Sequence, residues 1–292
     1  MIFLLSSIVL TSYLTLSFKV VERLGLNNLQ VIVFNYGTCV ITGTIVNGNF
    51  PVNKTNTTQD WFPWALAMGL MLILLFNIIA FSAQRIGIAV TSVANKLSLV
   101  IPFLFSIYLY DERASFLKLT GIVVALVAVA MTCYTKQDTR SGMGKGFGWL
   151  YLLPVILFIG SGLLDTMIKY VEDSFLDGNN NNDYLTTAFF SAAVIGLVCL
   201  IMQWIFHKKP VSSKAVLAGI LIGIPNYFSI WCLVQVLKQY QGNSSAILPI
   251  NNMGIVVFST LVAWLLFKER LSVLNWCGVM LAVIAIALIA YG

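Results

Sequence analysis

TSVANKLSLVIPFLFSIYLYDERASFLKLTG, residues 91–121, returns near the end of the chain as LPINNMGIVVFSTLVAWLLFKERLSVLNWCG, residues 248–278. A constant shift of 157 positions carries Asn95 onto Asn252, Glu112 onto Glu269, Ser115 onto Ser272 and Gly121 onto Gly278. Each copy runs apolar for about 20 residues, stops at a charged cluster and runs apolar again, the pattern of a helical hairpin that crosses a bilayer twice.

The duplication continues outward from this hairpin. Lys19-x-x-Glu22 reappears as Lys169-x-x-Glu172 after a shift of 150, and Asn77 reappears as Asn226 after a shift of 149. The match to an internal helix argues that the first apolar run is a membrane helix and not a cleaved leader, and it carries no basic n-region. Apolar runs fall at about 1–21, 29–47, 63–84, 88–110 and 115–134, then at about 149–170, 184–206, 215–237, 245–267 and 271–291. The expected fold is therefore all-α: a polytopic membrane protein of ten transmembrane helices in two five-helix repeats, 1–135 and 147–292, joined by a glycine-rich basic linker at 136–146. An odd number of helices per repeat inserts the second copy from the opposite side, so the repeats are expected to be inverted. The Asn- and Thr-rich stretch 47–61 reads as a solvent-exposed loop.

Composition agrees. Apolar residues make up 59% of the chain and charged residues 10%, a balance foreign to soluble domains. The net charge of +6 is spread singly or in small groups through the gaps between apolar runs, which fits the positive-inside bias of membrane proteins and not a nucleic-acid surface. Eleven Lys and Arg lie in the odd-numbered connections against five in the even-numbered ones, so the charge rule alone places both termini outside the cytoplasm. All five cysteines lie inside apolar runs without a C-x-x-C companion and read as small packing residues. A loop-borne His207 is the single histidine, and there is no nucleophile elbow or metal-ligand set. No enzyme, metal or cofactor is expected; the partners are the lipid bilayer and a small-molecule substrate, with oligomeric state left open.

With these features assembled, the chain resembles the drug/metabolite transporter superfamily, EamA type. The resemblance rests on ten helices in two repeats, Lys19 in FKVVE, and the junctions YDERAS (110–115) and FKERLS (267–272). It implies a cell-membrane secondary transporter that moves a small polar metabolite, amino-acid-like, sugar-like or drug-like, by alternating access. A channel and a scaffold without transport are the other readings. Members of the family are usually drawn with cytoplasmic termini, against the charge count.

Lys96 is the deepest charge, about 12 Å into its run. A Lys at that depth costs about 2.5 to 3.5 kcal/mol on insertion scales, so it should face a cavity or a partner. It either binds an anionic group of the substrate, pairs structurally with Asp165, or is held neutral. Ser92, Asn95, Lys96 and Pro102 share a face of the fourth run, and Ser245, Asn252 and Ser259 share one of the ninth. The candidate substrate-binding set is Lys96, Asn95, Asn252, Asn77 and Asn226; for the asparagines the alternative is interhelical hydrogen bonding. Asp165, the only acid within a run, is the candidate for proton coupling, or else snorkels and pairs with Lys169. Glu112 and Glu269 read as structural, beside the N-caps Ser115 and Ser272.

Overall fold

The computed structural model describes residues 2–110, 115–133, 150, 152–176, 180–207, 210–239 and 244–291. The expected linker 136–146 and Glu112 lie outside the described residues, as do the side chains of Ser106, Ser245 and Pro249. The helices are α1 (Ile2–Arg23), α2 (Asn28–Asn47), α3 (Lys54–Thr57), α4 (Phe62–Arg85), α5 (Ile88–Leu97), α6 (Val100–Tyr110), α7 (Phe116–Cys133), α8 (Leu152–Phe175), α9 (Asn181–His207), α10 (Ser213–Gln239), α11 (Ser244–Phe267) and α12 (Val273–Tyr291). Among the described residues there is no strand, and eight stretches are helical, long and apolar enough to cross a membrane. Two further apolar helical stretches, Leu119–Met131 and Val273–Ile289, are shorter.

Two sequence expectations need correction. The stretch 47–61 is only partly exposed, because it holds the short helix α3, whose Asn56 is buried, and ends on the buried Trp61. Asn56 Nδ2 donates to the Pro51 carbonyl at 2.9 Å, folding the stretch back on itself. The fourth run is not one helix. It breaks between α5 and α6 at Ser98 and Leu99, and the cause is Pro102. Its missing N–H leaves the Ser98 carbonyl without the regular partner four residues on, and its ring crowds that carbonyl. Ile101 N–H takes over, three residues on, at 2.9 Å.

The helix ends follow from local chemistry. Asn27 caps α2 by accepting from the Leu29 N–H at 2.9 Å. Ser272 caps α12 as expected: its hydroxyl accepts from the Asn275 N–H at 3.2 Å, and the Asn275 side chain returns the contact to the Ser272 N–H at 3.0 Å. Helix α11 ends with Lys268 in the left-handed region (φ 54°) and a Glu269 N–H bond to the Ala263 carbonyl at 3.2 Å. That six-residue closure turns Glu269 back across the bundle.

Packing divides the bundle into two main apolar cores. One gathers α2, α4 and α9 around Ile32, Tyr36, Trp61, Leu72 and Phe189; the other gathers α7 and α12 around Ile122, Ala125, Ala282 and Ile286. Helices α5 and α8 contribute to both, Ala94 and Leu157 to the first, Val93, Leu97 and Phe158 to the second, so they lie at the boundary between the cores.

Close helix crossings join the two halves of the chain. Helix α4 packs on α9 and α10 on α2, and both crossings are built on a glycine. A Cβ at Gly69 would meet Ser191 and come within 2.7 Å of the Ala188 carbonyl; one at Gly219 would meet Phe34 and come within 2.9 Å of the Val31 carbonyl. By the shift of 149 that carries Asn77 onto Asn226 in these same two helices, Gly69 falls on Ala218, one residue before Gly219. Each crossing joins a helix of the first half of the chain to one of the second through a glycine.

Candidate functional site

Lys96 sits in the last turn of α5, directly before the break. The carbonyls of an interrupted helix end carry partial negative charge, which favours a cation there without an external partner. Facing this end is α8, brought close by Gly162, where a Cβ would stand 2.6 Å from Ile101 Cβ of α6. One turn further along α8 is Asp165, whose Oδ2 accepts from Ser98 Oγ at 3.5 Å. The Asn95 carbonyl, at 2.6 Å, competes for the same single Ser98 proton at shorter range, tying the break to the last turn of α5. Asp165 is the charge that acts on Lys96 across the gap between α5 and α8, although no direct ion pair joins them among the described residues. A helix from the first half and a helix from the second thus bring opposite charges together between the two cores.

The four candidate asparagines separate into two kinds. Asn77 Nδ2 donates to the Ile73 carbonyl of its own helix at 2.7 Å, and buried Asn226 Nδ2 donates to Asn35 Oδ1 of α2 at 3.2 Å. The side-chain amides of Asn95 and Asn252 are half-buried and make no hydrogen bond among the described residues. Helices α5 and α11, which carry them, pack against each other. Lys96 likewise makes no hydrogen bond, so the ammonium and these two amides keep their donors and acceptors open while the other two asparagines hold walls together.

Stability should reveal the split. Asn226→Ala leaves the Asn35 amide, whose Nδ2 already lacks a partner in a buried α2–α10 interface, with only the weak Cys39 thiol at 4.0 Å, and should cost about 1 to 3 kcal/mol. Asn252→Ala removes no side-chain hydrogen bond among the described residues and should melt within about 0.5 kcal/mol of the parent. Equal melting temperatures for the two purified variants would contradict the assignment.

Sequence reasoning singled out Lys96, Asp165 and the asparagines, but missed Asn35 as the partner of Asn226. The signal available for the approach of α8 was the small residue Gly162 one turn before Asp165. Of the aromatic residues, Tyr36 is packed with its hydroxyl on the Leu72 carbonyl at 3.0 Å, Tyr227 is buried, and Trp264 is half-exposed with its ring edge-on to Trp276.

Comparison with known proteins bears on this arrangement. Residues 148–291 match the model of the EamA-like transporter family. By its second half, the chain is similar to that family. An uncharacterised protein of Haemophilus influenzae is 27% identical over 281 residues, 94% of this chain and 92% of that protein. A crystallised chain shares the fold at a TM-score of 0.60 and 17% identity, over 99% of this chain and 96% of its own. Both likenesses run through the first half as well as the second. The match suggests a membrane transporter of the drug/metabolite superfamily, and the charged centre of this chain is formed from helices of both halves.

Proposed function

We propose that this protein is a secondary active transporter of the cell membrane, moving a small polar solute by alternating access between two inverted five-span repeats, 1–135 and 147–292. The observation that carries the reading is Lys96 at the break in a membrane span, facing Asp165 of the other half. Interrupted spans near the midplane are where transporters bind solutes, and here the break sets Lys96 beside Asp165 at a depth otherwise closed to charge. Lys96 takes an anionic group of the solute, and Asn95 and Asn252 orient it with amide donors and acceptors. Asp165 receives a cationic group or a proton. The two shorter apolar helices, added to the eight long spans, agree with ten spans, and the crossings of α4 on α9 and of α10 on α2, each joining one half to the other, agree with the inverted relation.

The test is a thermal-shift screen of purified protein with a metabolite panel, followed by uptake into proteoliposomes. A ligand at about 100 times its Kd raises stability by about 2.7 kcal/mol. Anionic or zwitterionic solutes are expected to stabilise the parent and to be taken up. A panel in which only uncharged solutes are moved would count against the Lys96 site. Orientation is a separate prediction from the charge count: reporter fusions in the stretch 136–146 should report the cytoplasm. A signal from the opposite side would instead favour the topology usual for the family.

A further inference from the structure

At the N-terminal end of α5, far from the Lys96 break, four helix ends are tied together. Glu269, from the second half, reaches across to the first: its carboxylate accepts from the Ile88 N–H at 2.8 and 3.1 Å and from the Ala89 N–H at 3.5 Å. These are free donors of the first turn of α5, where the helix dipole also favours an anion. The approach requires Gly87, which has φ 103° and whose added Cβ would lie 3.2 Å from Glu269 Oε2. Lys19 of α1 adds its charge to Glu269, donates to the Gln84 carbonyl at the end of α4 at 2.9 Å, and pairs with Glu22 at 3.1 Å. Arg23 covers the Phe267 ring at 4.8 Å, binding the end of α1 to the end of α11.

We infer that Glu269 is a positioning residue for transport: its carboxylate clamps the start of α5 and keeps the path to Lys96 closed at this end of the molecule. The inference rests on the transport reading above, and it adds the contact that must break for this end to open. Ser92 lies one turn before Lys96 on the same face, buried, with its hydroxyl unpartnered. It sits beneath the clamp and is the natural reporter of opening.

The experiment places Ser92→Cys in the otherwise native chain, purified in detergent. A water-soluble maleimide is applied, and labelled peptides are mapped by mass over time. With Glu269 intact, position 92 should label slowly. Glu269→Ala should raise its rate at least about tenfold, Glu269→Gln less, and Glu269→Asp should stay near the parent because the anion on the helix terminus is retained. Cys39, fully buried in α2, serves as the control and should stay protected throughout. An unchanged rate at position 92 in Glu269→Ala overturns the clamp, and so does a parallel rise at Cys39, which would mean general loosening. If Glu269→Ala gives no folded protein, Gly87→Ala makes the same test by crowding the carboxylate while keeping its charge; no rise there overturns the clamp too. The readout needs no solute, so a failed clamp leaves the Lys96 site standing, and a failed Lys96 site leaves the labelling result intact.

Discussion

Replacing Lys96 with Met is expected to weaken solute binding about 30-fold, and uptake with it, while the protein remains folded. The magnitude is that of a hydrogen bond to a charged group, about 2 kcal/mol, removed from a site with no protein substitute for it. Retention of the fold follows from geometry. Lys96 makes no hydrogen bond and no direct ion pair among the described residues, so Met forfeits little native structure, and it spares the cost of holding a cation at depth. A structural Lys96–Asp165 pair makes the opposite prediction. Removing one partner of a buried pair costs about 3 to 5 kcal/mol, and Asp165→Asn in the same chain should then restore both stability and transport. Melting and uptake of Lys96→Met, Asp165→Asn and the double variant separate the two. Unchanged affinity of Lys96→Met for every solute the parent moves would end the central-site reading.

The second large effect is one of stability. Gly219→Leu should cost about 3 kcal/mol or more, about 5 °C in melting temperature, because even a Cβ at this position runs into Phe34 and the Val31 carbonyl. Backbone atoms of α2 cannot step aside as a flexible side chain would. Gly69→Leu should cost a similar amount, since its Cβ runs into Ser191 and the Ala188 carbonyl of α9 just as closely. Gly37, in α2, has nothing within 4 Å of an added Cβ, so Gly37→Ala should stabilise by about 0.5 to 1 kcal/mol through helix propensity. If Gly219→Leu melts like the parent, the α2–α10 crossing is not as close as described. If Gly69→Leu and Gly219→Leu differ widely, the two crossings are not equally close.

The apolar runs and their doubling were legible in the chain, because length and hydropathy decide whether a segment crosses a bilayer and an internal shift is visible without coordinates. Most helix boundaries fall within a few residues of that reading. Pro102 was noticed, but whether a membrane proline bends or breaks its helix depends on what takes up the freed carbonyl, and here the Ile101 N–H does so. Lys96 and Asp165 announced themselves by charge alone, since an ionised group in an apolar run is rare enough to require a partner.

The asparagines show where sequence stops. Asn77, Asn95, Asn226 and Asn252 all sit in apolar helices and looked alike. Asn226 is committed because α10 crosses α2 at Asn35, and Asn77 because its side chain turns back on Ile73, while Asn95 and Asn252 are left open. Glu269 likewise looked like part of its own turn into α12, beside the Ser272 cap. Its carboxylate serves the start of α5, 181 residues away in sequence at Ile88. Hydropathy and periodicity are properties of one segment and determine which residues become helix. Which polar atoms find partners is a property of two segments, and only the close crossings at Gly162, Gly219 and Gly87, where no Cβ keeps the backbones or side chains apart, decided that.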